Sequence, residues 1–83
     1  MLHRVPVRDL PDDDEWIAAH LRATGDRIRA ERLRQNLTQE SVYLAAGISR
    51  YTFQRAEAGA DMKLSTLLRI ARVLDVPAGD LVG

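Results

Sequence analysis

Thr38-Gln39-Glu40-Ser41-Val42-Tyr43-Leu44-Ala45-Ala46-Gly47-Ile48-Ser49-Arg50-Tyr51-Thr52-Phe53-Gln54-Arg55-Ala56-Glu57-Ala58-Gly59 reads as two short helices separated by a tight turn. Thr38 is placed to cap the first: its hydroxyl can accept from N–H groups that have no partner in a first helical turn. Leu37 just before it and Val42 four positions on form a hydrophobic staple that sets the entry of the chain. Gly47 closes this segment. Ser49 then repeats the capping device, with Ile48 and Phe53 as its staple, and Gly59 marks the end of the second helix.

Outward from this pair, helical spacing continues in both directions. Upstream, a helix is expected from Asp12 or Asp13, where carboxylates meet the positive end of the helix dipole, through Trp16, Leu21 and Ile28 to about Gln35, with Gly25 as a point of interruption. Asn36 fits the left-handed position that ends a helix. Downstream, Leu67, Ile70, Ala71 and Leu74 share one face of a helix from about Ser65 to Leu74. Pro77 stops it, and Ala78 to Val82 has room for one more turn, with Leu81 at the base of the core. There is no hairpin signal and no β-branched run, so the chain reads as all-α.

The 83 residues hold a single domain. With no cysteine, disulfide staples and thiolate metal sites are excluded. An apolar fraction of 46% with 29% charged residues suits a globular domain, and no apolar run approaches the roughly 20 residues of a membrane span. The N-terminus lacks the apolar region of a secretory signal, which makes the cytoplasm the expected location. His3 and His20 do not make a ligand pair, and Asp12-Asp13-Asp14-Glu15 reads as a helix start on a solvated surface. Neither a metal nor a cofactor is expected. Without a phosphate loop, a nucleophile elbow or a paired acid and base, an enzyme is not expected either.

Twelve Lys and Arg balance twelve Asp and Glu, but the charges are not mixed evenly. Residues 1–20 carry two Arg against five carboxylates, residues 21–59 seven Arg against four, and residues 60–83 three of each sign. The positive excess coincides with the two capped helices. A neutral total predicts weak non-specific attraction to nucleic acid, so any recognition must rest on a few placed contacts.

Two capped helices joined through a glycine are what a DNA-binding helix-turn-helix requires, the second presenting its exposed N-terminal face to the major groove. With Ile28-Arg29-Ala30-Glu31-Arg32 before them and Leu67-Leu68-Arg69-Ile70-Ala71-Arg72-Val73-Leu74 after, the chain resembles the Xre-type family, which includes lambdoid phage repressor and Cro proteins. The resemblance covers about Gly25 to Val82. It implies a five-helix lambda-repressor-like domain at residues 25–83, preceded by a partly helical N-terminal arm at residues 1–24. It also implies a transcriptional regulator, with repression the favoured role, that binds a palindromic operator in double-stranded DNA as a homodimer. A regulatory protein partner stays open, and the alternative is an interaction module, an antitoxin or co-regulator, that keeps the fold.

Carried over residue by residue, the resemblance places Thr38 and Gln39 on phosphate at the start of the second helix, where the dipole favours an anion. In the recognition helix, residues 49–57, it turns Arg50, Tyr51, Thr52, Gln54 and Arg55 outward, and Phe53 and Ala56 inward. Arg50 and Arg55 suit base readout, since a guanidinium can donate two bonds to the O6 and N7 edge of guanine. Tyr51 and Thr52 are further base candidates, and Ser49 and Gln54 join the phosphate contacts. Arg32 and Glu57 fall where the family has a buried ion pair. The chain departs from the family at Tyr43, usually Ala, and at Ala56, usually a large aliphatic residue. A volume swap is expected, in which the Tyr43 ring fills space left by Ala56. Trp16, Ile17 and Leu21, with Val5 and Val7, give the arm an apolar face that either packs on its own domain or joins a dimer contact.

Overall fold

The computed structural model describes residues 13–83, so the expectations for Val5, Val7, His3 and Asp12 fall outside it. Five helices follow one another: α1 (Glu15–Arg34), α2 (Gln39–Ala46), α3 (Arg50–Glu57), α4 (Leu64–Leu74) and α5 (Ala78–Val82). There is no strand among the described residues. None of the described helices is long and apolar enough to cross a membrane.

The caps form from the residues that the local code favours. Thr38 Oγ1 accepts from the Ser41 backbone N–H at 3.0 Å, and Ser49 Oγ accepts from that of Thr52 at 3.0 Å. Gly47 ends α2 at φ 70°, in the left-handed region where a side chain is strained, and lets the chain turn directly into α3. Asn36 occupies the same region at φ 58° after α1. Asp75 does so at φ 57° after α4.

At its start α1 differs from expectation. It begins at Glu15 rather than at Asp12 or Asp13, with Asp14 as a cap that makes no side-chain bond. The carboxylate of Asp13 instead accepts from the Glu15 N–H at 3.0 Å, so the acidic run still serves the helix start, one step earlier in the chain. Nor does Gly25 interrupt α1, which runs unbroken through it, so the expected border between residues 24 and 25 falls inside this helix. The reason lies in tertiary packing. A Cβ built on Gly25 would sit 2.6 Å from the carbonyl oxygen of Glu57 and 2.7 Å from that of Ala56. Glycine lets α1 and the end of α3 meet backbone to backbone, and the hydrogen bonds of the surrounding turns hold it in the helix.

The core gathers Ile28 from α1, Val42 from α2, Phe53 and Ala56 from α3, Leu67, Ile70, Ala71 and Leu74 from α4, and Leu81 from α5. α2 packs on α4 and α3, while α1 lies across α3, α4 and α5. α4 supplies its apolar stripe at the spacing of one helical face. Tyr43 packs against this core from its half-buried position, and Ala56 is buried within it. The ring thus lies against the core rather than pointing away from it. Leu21 is half-buried, whereas Trp16 and Ile17, nearer the start of α1, are 42% and 39% exposed.

The far end of α1 is tied to α4 by polar groups. Gln35 donates from Nε2 to the Leu74 carbonyl at 2.7 Å and to Glu31 at 3.1 Å. Arg34 donates to both oxygens of the same Glu31 carboxylate. These hydrogen bonds from Arg34 and then Gln35 hold the Glu31 carboxyl down at about 2, from an ordinary value of 4.5.

Two outcomes follow. Gly25→Ala is expected to destabilise the domain by about 1–3 kcal/mol in urea denaturation, because overpacking outweighs the better helix propensity of alanine. Glu31 stabilises the fold fully above pH 4.5, and this contribution is lost as pH falls toward about 2. Glu31→Gln should therefore flatten the decline of stability across that acid window, as read by chemical denaturation at a series of pH values.

Candidate nucleic-acid interface

Because Phe53 and Ala56 face inward, the opposite side of α3 is turned to solvent. Arg50, Tyr51 and Arg55 are exposed, and Thr52 and Gln54 are half-buried. α3 therefore displays two guanidinium groups, an aromatic ring and short polar side chains along one surface.

Of the nine arginines among the described residues, five have an ion-pair or hydrogen-bonding partner and four, Arg29, Arg50, Arg55 and Arg72, do not; Arg50 and Arg55 are the two of these on α3. Arg22 pairs with Glu15, Arg32 with Glu57 and Arg34 with Glu31. Arg27 donates to the Leu81 carbonyl and Arg69 to that of Ala46. Among the described residues, Arg50 and Arg55 enter no ion pair and donate to no protein acceptor. Their donors are available to an outside acceptor, which for a planar fork of N–H groups can be a carboxylate, a phosphate or the edge of a guanine.

Behind this surface lies the interaction that holds α3 in place. Arg32 Nε donates to Glu57 Oε2 at 2.6 Å and Nη2 to Oε1 at 3.2 Å, with both side chains almost wholly buried. Arg32 Nη1 also donates to the Leu37 carbonyl at 2.9 Å. One guanidinium thus joins the end of α3 to the strap leading into α2. Gln39 Nε2 donates to Glu57 Oε1 at 2.9 Å, and Gln39 Oε1 accepts from Gln54 Nε2 at 3.3 Å. The chain of contacts runs from the buried ion pair out to the exposed side of α3, and it leaves no buried side-chain polar atom without a partner among the described residues.

The remaining candidates are engaged locally. Thr38 serves as the cap of α2. Ser49 caps α3 while its hydroxyl donates to Thr52 Oγ1 at 2.9 Å. Gln39 is expected from sequence as a phosphate clamp at the start of α2, and its side chain is held by Glu57 and Gln54, with one amide N–H not used by these bonds.

Beside α3 an open groove of about 510 Å³ runs to the start of α4, bordered by Tyr51, Thr52, Arg55, Lys63, Ser65 and Arg69 among others. Sequence reading passes over Lys63 and Arg69, since their charges cancel against Asp61, Asp75 and Asp80 in the balance of residues 60–83. The signal was the position of Lys63 just before α4, on the same side as the recognition surface, which only the packing of α4 on α2 reveals. Among the described residues, no group of three His, Cys, Asp or Glu is arranged to hold a metal ion.

The helix-turn-helix domain family matches residues 17–82. Among solved structures, the chain is similar to the restriction-modification controller protein C.AhdI from Aeromonas hydrophila, with 30% identity over 76% of this chain and 97% of that chain, and a TM-score of 0.72. No curated protein matches in sequence.

Glu57→Ala is expected to cost about 3–5 kcal/mol of stability, because it leaves the Arg32 charge buried without its partner. Thermal and urea unfolding of the variant measure it.

Proposed function

The chain belongs to the Xre-type helix-turn-helix family of DNA-binding transcription regulators, and from that premise we propose that it acts as a repressor, bound as a homodimer to a palindromic operator. The observation that carries this reading is the pair of unpartnered guanidinium groups, Arg50 and Arg55, on a helix whose own position is held by a buried ion pair. A site that reads bases needs donors that are free and a frame that is rigid.

In this reading α3 enters the major groove, and Arg50 and Arg55 address base edges, with Thr52 beside them. Thr38, Gln39, Ser49 and Gln54 border the flanking phosphates. The start of α2 adds its free N–H groups and the positive end of its dipole. Lys63 borders the same groove from just before α4 and adds a charge toward the backbone. The protein works where chromosomal DNA lies, in the cytoplasm at the nucleoid.

A single short recognition helix spans few base pairs, and two-fold pairing places a second copy one helical turn away, about 34–36 Å along the duplex. Leu64 and Leu68, one turn apart on α4, and Val82 of α5 are 68%, 50% and 49% exposed. Leu21, Leu64 and Val82 border a common cleft. This apolar face supports contact with a second copy of the chain, in which the same patch meets itself. Similarity to a restriction-modification controller protein supports a role in regulating transcription.

Selection of binding sites from random duplex DNA tests the proposal. It should return a two-fold symmetric sequence whose affinity falls steeply with salt, and Arg50→Ala and Arg55→Ala should each weaken binding to it by about 1–3 kcal/mol in fluorescence anisotropy. A pool that never enriches would instead favour an interaction module built on the same fold.

A further inference from the structure

Tyr51 and Arg55 stand one helical turn apart on the exposed side of α3, with the Arg55 guanidinium carbon 5.5 Å from the centroid of the Tyr51 ring. Neither is held by the core: Tyr51 is 68% exposed, and Arg55 has no hydrogen-bonding partner among the described residues. Asp61 borders the same groove, but its carboxylate accepts from the Met62 backbone N–H at 2.9 Å and makes no ion pair with Arg55. The ring is therefore the contact that orients this guanidinium. Arg50 has no such ring beside it among the described residues.

The chemistry of the pair is specific. The negative face of an aromatic ring attracts a guanidinium through its plane, which leaves the N–H donors along its edge unused. Guanine needs that edge, since its O6 and N7 accept two bonds lying in one plane. A long side chain that is ordered before binding loses less freedom when it binds. We propose that Tyr51 is a positioning residue that fixes the guanidinium of Arg55 for readout of one guanine, so that the pair sets specificity at a single base pair and Tyr51 itself touches no base. This departs from the sequence expectation for Tyr51, and it rests on the reading of the chain as a sequence-specific DNA-binding protein.

The test begins with a site selected from random duplex DNA by the full chain. Each guanine in it is replaced in turn by 7-deazaguanine, which lacks the N7 acceptor. The guanine whose replacement weakens binding of the unaltered protein but not of Arg55→Ala is the one that Arg55 reads. At that position Tyr51→Leu is expected to lose about two- to fivefold of the discrimination, and Tyr51→Phe to restore it. The effect of replacing other guanines and the thermal midpoint should stay as in the unaltered protein. An equal loss in Tyr51→Phe assigns the effect to the hydroxyl, and a loss in Tyr51→Leu spread evenly over all sequences assigns the ring to the DNA backbone. Either overturns the proposal. If a site enriches but no guanine depends on Arg55, the proposal fails while DNA recognition stands; if no site enriches, DNA recognition fails and the proposal with it.

Discussion

The bond between Arg32 and Glu57 is the constraint on which the interface depends. Two opposite charges are taken almost wholly out of water, which is favourable only when every donor and acceptor finds a partner. Here the guanidinium also serves the Leu37 carbonyl, and the carboxylate also accepts from Gln39. The pair therefore fixes three things together: the end of α3, the strap before α2, and the first residue of α2. A hydrophobic contact of similar size would hold these parts near one another, but it would not set their register, since apolar packing has no preferred direction.

From that anchor the rest of the recognition surface follows. Phe53 and Ala56 turn into the core, so the opposite side of α3 faces outward. Gln39 and Gln54 extend the polar network to that surface. Arg69 donates to the Ala46 carbonyl at the end of α2, where the negative end of the helix dipole favours a cation. α2 is thus gripped at its start by Glu57 and at its end by α4. Five arginines serve in this way, as struts within the protein, while Arg50 and Arg55 on α3, like Arg29 and Arg72 elsewhere, stay out of the framework.

What was legible in the sequence was local. Thr38 and Ser49 cap their helices because a hydroxyl at that position needs only the next turn of the same helix, and Gly47 and Asn36 take up left-handed backbone because no neighbour can supply it otherwise. Features set by distant contacts were read less well. Gly25 looks like a break when only its own helix is considered, and only the backbone of α3 against it explains its presence. Asp75 ends α4 in a conformation that its residue type allows but does not announce. The start of α1 came late because Asp13 caps by reaching forward to Glu15. At the interface, the outward residues of α3 were legible from helical periodicity. The bonds that occupy Gln39, and the place of Lys63 beside the groove, depend on how helices far apart in the chain meet.

The contact at Gly25 also governs how this core can vary. Where side chains separate two helices, a larger or smaller residue changes the spacing by degrees. At Gly25 there is no side chain between α1 and α3 to exchange, and the carbonyls of Ala56 and Glu57 lie directly against the α1 backbone. At this point the separation is set by main-chain dimensions rather than by side-chain size. Changes in core volume are then left to the side chains that α2 and α4 bring to the core elsewhere. The placement of α3 against α1 is thereby set at this point by backbone contact, while elsewhere it is side chains that fill the core around α3.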